Sequence, residues 1–298
     1  MFRKIILLSL YLLLFTSFVT VANSKTVIPR QTMNKVLHDK LPESIKNAGF
    51  MVNVNSGAFP PYEILAENRS YSGVVNDLSQ ALGEIMGIEI RRETVSTLPA
   101  LLMGLKAGRF QFSMGPIGDF PSRQANVDFI DYVREYVIFA VPKGNPHNIH
   151  SLSDICGLRI SVMSGGSAEK VLRNQSKLCL NQGKEDINIL SYSDQPTSLL
   201  VVRAKRADAF FSSQAPLTYY VKQSRGELEL AGVGLSNGFE ELYQGAVVAK
   251  DSPLGEILLT AMQELFDNGT YELIMNKWGL ESNKLEAPKF NASTVKLP

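Results

Sequence analysis

The chain has 298 residues, of which 45% are hydrophobic, and a formal net charge of +1. This composition is typical of a globular protein of one or two domains. The nearly balanced charge argues against a nucleic-acid partner, because such proteins usually carry a basic excess. We interpret the basic pairs Arg91-Arg92 and Lys205-Arg206 as solvated surface.

The N-terminus predicts export. Two positive charges in "MFRK" precede the uncharged apolar run "IILLSLYLLLFTSFVTV" and the small residues "ANS". This order is typical of a cleavable signal peptide, predicted over residues 1–24 with cleavage after Ser24. The alternative is an uncleaved anchor, since residues 5–21 are at the short limit for a bilayer span.

The cysteines and histidines argue for a disulfide and against a metal site. Cys156 and Cys179 are the only cysteines, and an even count in an exported protein predicts a disulfide. Two cysteines with no histidine at ligand spacing do not make a structural zinc site. We therefore expect no metal and no cofactor.

The first half of the chain predicts strands alternating with helices. Residues 25–48 are a polar, helix-compatible extension with a helix start at Pro42-Glu43. A first strand is predicted from the alternating apolar residues 50–54, and a helix over 73–86 ends at Gly87. The pattern then predicts the strand "EIRRETV", the helix "TLPALLMGLKAGRF" and the strand "FQFSMG".

A loop that presents a charge is predicted next. The stretch "GPIGDFPSRQANVDF" (115–129) has two glycines and two prolines before its arginine, Arg123, and we expect them to interrupt regular structure. Strand material follows in "VDFIDYVREYVIFAVPKG".

The second half repeats the alternation. It predicts the strand–turn–helix "LRISVMSGGSAEKVLRNQSKL", strands at "INILSYS", "ADAFFSS" and "LYQGAVVAKDS", helices at "QPTSLLVVRAKR" and "APLTYYVKQSRG", and two final helices over 253–280. Strands alternating with helices predict sheets covered on both faces. We therefore predict an α/β protein of two lobes, with its ligand beyond the C-terminal ends of the strands.

Seven motifs in order carry a family resemblance. They are "FPPYEI", "GVVNDLSQALGEIMG", "LPALLMGLKAGRFQFSMG", "FPSRQANVDF", "ISVMSGGSAEKVL", "RADAFFSS" and "DNGTYELIMNKWGL". Over residues 49–280 the chain resembles the family-3 periplasmic solute-binding proteins, the polar amino-acid receptors of ABC importers. The cysteine pair resembles that of a subgroup of this family.

The resemblance implies a type II clamshell with two hinge strands that closes around its ligand. Lobe one is expected at 49–141 plus 246–298, and lobe two at 142–245. The hinge strands are expected near Phe139–Val141 and Gly245–Val248.

The resemblance also implies a ligand site. Arg123 matches the family arginine that grips the ligand carboxylate, a task suited to the planar guanidinium fork. A structural salt bridge from Arg123 to Asp119 or Asp128 is the alternative. The expected ligand-binding residues are Phe59, Tyr62, Gly115, Gly118, Phe120, Arg123, Ser164, Gly166, Ser167 and Ser213.

Two of these positions carry structural alternatives. The glycine-serine turn before the second-lobe helix is expected to offer backbone N–H groups to the carboxylate. Ser167 could instead only cap that helix. Phe59 matches the family aromatic that covers the ligand side chain, with plain core packing as the alternative.

Several positions depart from the family pattern. Gly115-Pro116 replaces a serine pair, and Gly118 and Phe120 stand where the family often has Ser or Thr. Ser213 stands where the family has the aspartate that neutralises the ligand's α-ammonium. An ammonium buried without a counter-charge is costly. A weaker hypothesis is therefore that the ligand is not a standard α-amino acid, with Glu63, Glu241 or Tyr243 as possible substitutes for the missing charge.

The predicted function is a periplasmic receptor. It would bind an amino acid or related small carboxylate as a monomer and deliver it to an ABC permease in the inner membrane. One alternative is an enzyme similar to cyclohexadienyl dehydratase, with Asp119, Glu63 or Glu241 as acid or base. The other is a ligand-sensing partner of a membrane receptor.

Overall fold

The computed structural model describes residues 27–66 and 68–296, so the predicted signal peptide lies outside the described residues. Within those ranges no helix is long and apolar enough to cross a bilayer. The strands of this part are β1 (Phe50–Asn55), β2 (Ala58–Phe59), β3 (Glu63–Leu65), β4 (Tyr71–Ser72), β5 (Glu89–Thr94), β6 (Phe112–Gly118), β7 (Val127–Glu135), β8 (Val137–Pro142), β9 (Arg159–Met163), β10 (Asn188–Tyr192), β11 (Ala209–Ser213), β12 (Leu228–Ala231), β13 (Leu242–Ala249) and β14 (Lys284–Phe290). Its α-helices are α1 (Lys35–Lys40), α2 (Glu43–Ala48), α3 (Val74–Met86), α4 (Leu98–Lys106), α5 (Pro121–Gln124), α6 (Ser167–Asn181), α7 (Gln195–Arg203), α8 (Gln214–Gln223), α9 (Leu254–Asp267) and α10 (Thr270–Lys277).

Two main sheets define two α/β lobes. The six-stranded sheet of lobe one has the order β14-β7-β13-β6-β1-β5, and the five-stranded sheet of lobe two has the order β10-β9-β11-β8-β12. A small sheet of β2, β3 and β4 lies beside lobe one. Each lobe has apolar clusters of its own, as two independently packed sheets require.

The helix boundaries follow the sequence signals. Leu78, Leu82 and Ile85 recur at helical spacing in α3 and are buried against lobe one. Gly87 ends that helix with φ 66°, a conformation that favours glycine. Thr97 caps α4 by accepting a hydrogen bond from the Ala100 N–H.

The N-terminal extension is part of lobe one. The predicted helix start is confirmed, since α2 begins at Glu43 after Pro42. Leu37, Leu41 and Ile45 are buried in the same cluster as α3 and α9. The extension therefore completes the core of lobe one.

The chain changes sheet earlier than the sequence suggested. β7 belongs to the six-stranded sheet and β8 to the five-stranded sheet, so the first crossing is at Tyr136. The return crossing lies between β12 and β13, over residues 232–241. The hinge positions expected at Phe139–Val141 and Gly245–Val248 are therefore wrong. These residues belong to β8 and β13, and each strand pairs with strands of a single lobe. The sequence conceals the boundary, because no glycine or proline separates β7 from β8.

The stretch 115–129 is more regular than predicted. β6 continues to Gly118, and Arg123 lies in the short helix α5. The pairing of β6 with β13 shifts register between Gly245 and Val247, so β6 contains a bulge. Such a bulge accommodates Pro116, which has no N–H to donate to the ladder.

The predicted disulfide is present. Cys156 and Cys179 are bonded and tie the start of lobe two to helix α6. The bond closes a loop with a sequence separation of 23 residues.

Removal of this disulfide should destabilise the protein without moving the site. For a loop of this length, the chain-entropy model gives about 3 kcal/mol. We expect the double variant Cys156→Ser/Cys179→Ser to lose about this much free energy of unfolding in urea. An unchanged unfolding midpoint would contradict the expectation.

A buried pair of carboxyl groups holds the C-terminal segment. Asp119 and Asp131 are fully buried, and they accept hydrogen bonds from the backbone N–H groups of Ser293 and Ala292 respectively. Burial, followed by the neighbouring Asp119, raises the pKa of Asp131 well above its ordinary value of 3.8. Asp131 is therefore neutral at neutral pH, beside Asp119.

Asp131→Asn should change the pH dependence of stability. Because folding raises the pKa of Asp131, its contribution to stability falls as pH rises above 3.8. Asparagine keeps an acceptor for the Ala292 N–H and cannot ionise. We therefore expect the variant to lose less stability than the wild type between pH 5 and about 9, measured by urea unfolding with Trp278 fluorescence.

Asp128→Asn is the matched control on the same strand. Burial opposes ionisation of Asp128, but its hydrogen bonds with Lys250 and Asn291 lower its pKa overall. This variant should lose stability at neutral pH. A wild-type-like pH profile for Asp131→Asn would show that Asp131 does not titrate in this way.

Candidate functional site

One cavity lies between the two lobes. It has a volume of about 100 Å³ and is lined by residues of both sheets. Many of its lining residues lie at or just after the C-terminal ends of parallel strands. These strands are β1, β5 and β6 in lobe one and β9, β10 and β11 in lobe two. The lining residues are Ser56, Phe59, Glu63, Ser96, Thr97, Leu98, Leu101, Ser113, Gly115, Pro116, Ile117, Gly118, Arg123, Val137, Met163, Gly166, Ser167, Ala168, Ser193, Gln195, Phe211, Ser212, Ser213 and Gln244.

Arg123 is the cation of the cavity. Its Nη1 donates a hydrogen bond of 2.7 Å to the Gly118 carbonyl, and its guanidinium carbon lies 5.4 Å from the centre of the Phe120 ring. Burial lowers the pKa of Arg123 to about 10, while the charge of Asp119 opposes this change. Arg123 therefore remains charged at neutral pH, with donors left for an anion in the cavity.

The acids considered as structural partners of Arg123 are engaged elsewhere. Asp119 accepts hydrogen bonds from Gln124 and from the Ser293 backbone. Asp128 forms an ion pair with Lys250 at 2.7 Å. Among the described residues, neither acid forms an ion pair with Arg123, which disfavours a purely structural role.

Gly118 keeps Arg123 close to the strand. A Cβ at this position would lie 2.8 Å from the Phe120 ring and 3.3 Å from Arg123 Nη1. A serine here would therefore have to displace the ring or the guanidinium. This packing explains a glycine at a position where Ser or Thr was expected from the resemblance.

Lobe two contributes a helix N-terminus. Gly166 is the N-cap of α6 and Ser167 its first residue, and no side chain caps this end. The alternative that Ser167 is the cap is therefore wrong. Gly166, Ser167 and Ala168 line the cavity, so the positive end of a 15-residue helix faces it from the lobe opposite Arg123.

The rest of lobe two is polar but uncharged. Ser213 lines the cavity as the residue before α8, and its side chain makes no capping bond. Ser212 donates a hydrogen bond of 3.0 Å to Gln195, which also lines the cavity. Neither Ser213 nor its neighbours can supply the counter-charge of an aspartate.

Glu63 is the carboxylate of the cavity. It is only 4% exposed, and its Oε2 accepts hydrogen bonds from the Gly57 N–H at 2.7 Å and from the Ser56 hydroxyl at 3.2 Å. Burial raises its pKa to about 7, with these hydrogen bonds and then Arg92 opposing the rise. The sequence analysis gave Glu63 as one of three candidate acids. Among the described residues, it is the one of the three that lines the cavity.

Three residues expected at the site do not line the cavity. Tyr62 is fully buried and donates a hydrogen bond of 2.5 Å to Glu135, although its ring stacks on Phe59 at 5.9 Å. Phe120 points into the core of lobe two, and the Ser164 backbone N–H bonds to a neighbouring strand. Of the three, Tyr62 lies against the lining residue Phe59 and Phe120 against the lining residue Arg123.

Other cavity residues had no sequence signal. Ser56, Thr97, Ser113 and Gln195 come from separate segments of the chain that only the fold brings together. Gln244 lines the cavity with its buried Oε1 unpartnered among the described residues. Single serines and glutamines in irregular segments are too common in sequences to identify a site.

Comparisons with known proteins agree with this geometry. Residues 52–281 match the family of bacterial extracellular solute-binding proteins, family 3. The arginine-binding protein ArgT of Corynebacterium glutamicum is 28% identical over 253 residues, which cover 84% of this chain and 81% of that protein. The L-cystine-binding protein TcyJ of Escherichia coli strain K12 is 22% identical over 240 residues, covering 80% of this chain and 85% of that protein.

A solved structure supports the fold independently. The amino acid ABC transporter substrate-binding protein AbpA from Streptococcus pneumoniae, bound to L-arginine, superposes with a TM-score of 0.71 at 17% identity, over 80% of this chain and 99% of that chain. This likeness confirms the predicted two-lobe clamshell. With the family match over most of its length, the chain belongs to the bacterial extracellular solute-binding proteins, family 3.

Proposed function

We propose that this solute-binding protein holds an amino acid or related small carboxylate between its lobes and presents it to an ABC permease. The observation that carries the proposal is the Arg123 guanidinium, which lines the cavity and makes one hydrogen bond to Gly118. A guanidinium pairs with a carboxylate through two parallel hydrogen bonds. Its remaining donors are available for that geometry.

The facing helix supports the same ligand chemistry. The N-terminus of α6 carries backbone N–H groups that need acceptors, and its dipole favours an anion. A carboxylate between Arg123 and Ser167 would contact both lobes. Such a bridge stabilises the closed form by the difference in its affinity for the two conformations.

The cellular setting is proposed with the function. We infer that the mature protein acts as a monomer in the periplasm after removal of residues 1–24. The named relatives bind arginine or L-cystine, which supports an amino-acid ligand here. A sensing role would use the same cavity with a different membrane partner.

Loss of Arg123 should abolish binding. We expect L-amino acids, each paired with its amine-free carboxylate analogue, to raise the melting temperature of the mature protein. Ligand at a hundredfold excess over its dissociation constant adds about 2.7 kcal/mol. Arg123→Ala should remove the shift for every ligand and keep a folded apo protein.

Arg206→Ala is the matched control, because Arg206 is exposed on lobe two and does not line the cavity. It should bind like the wild type. Undiminished binding by folded Arg123→Ala would contradict the proposal. If the Arg123→Ala variant does not fold, Arg123 has a structural role instead.

The enzymatic alternative has a separate test. Of its three candidate acids, only Glu63 lines the cavity in the described structure, and its raised pKa would suit an acid or base. We expect no turnover of prephenate or arogenate by the purified protein. Turnover that is present in the wild type and lost in Glu63→Gln would show that the protein is an enzyme and not a receptor.

A further inference from the structure

The C-terminal segment extends beyond the region that matches the family. The match ends at residue 281, and the described chain continues to residue 296. We call residues 282–296 the C-terminal strap. The strap adds the edge strand β14 to the sheet of lobe one, where it pairs with β7. Residues 291–293 continue past β14, so their contacts are not part of the regular ladder.

Asn291 turns the strap away from the sheet edge. Its φ is 47°, a left-handed conformation that asparagine tolerates better than most residues. Its Oδ1 accepts a hydrogen bond of 2.8 Å from the Phe129 N–H, and its Nδ2 donates one of 2.8 Å to Asp128. The turn brings Ser293 to the segment between β6 and β7.

Ser293, Asp119 and Gln124 form a closed set of hydrogen bonds. The Ser293 N–H donates to Asp119 Oδ2 at 2.8 Å. Gln124 Nε2 donates to Asp119 Oδ1 at 2.8 Å and to the Ser293 carbonyl at 3.0 Å. Asp119 is fully buried and Ser293 is 4% exposed. Because water is excluded here, the loss of one bond would leave a buried polar group unpaired.

Gln124 adjoins Arg123 in a helix that needs external support. The helix α5 has only four residues, and no side chain caps its N-terminus. A single helical turn is unstable alone. The bond from Arg123 to the Gly118 carbonyl holds the guanidinium and not the helix backbone. The bonds of Gln124 therefore help to fix the backbone from which Arg123 reaches the cavity.

We propose that the strap is a positioning element of the ligand site: through Gln124, it holds the turn that presents Arg123 to the ligand carboxylate. Gln124 and the strap are not among the described residues that line the cavity. This inference rests on the proposed function, because Arg123 must bind the carboxylate. Ligand affinity then depends on the backbone of Ser293, which lies outside both the cavity and the family match.

Two substitutions at Ser293 separate the effect of its backbone from that of its side chain. Its buried hydroxyl oxygen has no hydrogen-bond partner among the described residues, so Ser293→Ala removes no hydrogen bond. Proline has no N–H, so Ser293→Pro removes the donor to Asp119. We expect Ser293→Ala to bind ligand like the wild type and Ser293→Pro to bind it about tenfold more weakly.

Binding is measured by calorimetry on the mature protein, well below its unfolding transition. The probe is L-arginine or, if L-arginine gives no thermal shift, the L-amino acid with the largest shift. Urea unfolding of each variant is measured beside it. If Ser293→Pro lowers the unfolding midpoint but binds the probe with unchanged affinity, the strap is purely structural and the proposal is wrong.

Gln124→Met tests the connection between the strap and Arg123. Methionine keeps the length of the side chain and removes both of its hydrogen bonds. We expect the variant to bind the probe about tenfold more weakly. Because Gln124 and Ser293 act on the same turn, the double variant with Ser293→Pro should lose much less than the product of the two effects. A loss equal to that product would contradict the proposal.

Lys284→Met is the matched control within the strap. Lys284 lies at the other end of β14 from Asn291 and forms an ion pair with the exposed Glu272. Its loss should leave the affinity for the probe within about twofold of the wild type. Weakening equal to that of Ser293→Pro would mean that any damage to the strap lowers affinity, and would overturn the role of Gln124.

The failure of this inference can be distinguished from that of the proposed function. If no amino acid binds the wild type, or if Arg123→Ala binds normally, the proposed function fails and the inference with it. If Arg123→Ala abolishes binding while Gln124→Met binds like the wild type, only the inference fails. Gln124→Met decides the question even if Ser293→Pro does not fold.

Discussion

The organisation of the site depends on keeping Glu63 and Arg123 apart. A buried charge without a partner is costly, so proteins normally pair such groups or neutralise them. Here the two side chains lie at different positions along strand β6, with Glu63 against Gly115 and Arg123 against Gly118. The pKa of each group is displaced by burial toward its neutral form. A ligand carboxylate would supply Arg123 with its missing partner.

The two lobes contribute differently to this arrangement. Lobe one contains both charges, whereas lobe two offers the dipole of α6 and neutral groups such as Gln195 and Ser213. The crossings at Tyr136 and over 232–241 connect the lobes. A ligand could therefore bind to lobe one first, and closure of lobe two would add hydrogen bonds and exclude water.

Much of this structure could be predicted from the sequence. Helical periodicity and glycine caps identified α3, and the motif order identified the fold and the position of Arg123. The sheet boundary at Tyr136 could not be located, because no glycine or proline separates β7 from β8. β14 was not predicted, since "KLEAPKF" contains a proline and three charged residues, yet it pairs with β7 at the sheet edge. Glu63 could not be distinguished from Glu241 because the distinction depends on the space left by Gly115.

A crystal structure of the mature protein with the ligand that most raises its melting temperature would test the central claim most directly. The account predicts a closed cavity in which the ligand carboxylate contacts Arg123 and the N-terminus of α6. A carboxylate that avoids Arg123 would contradict it.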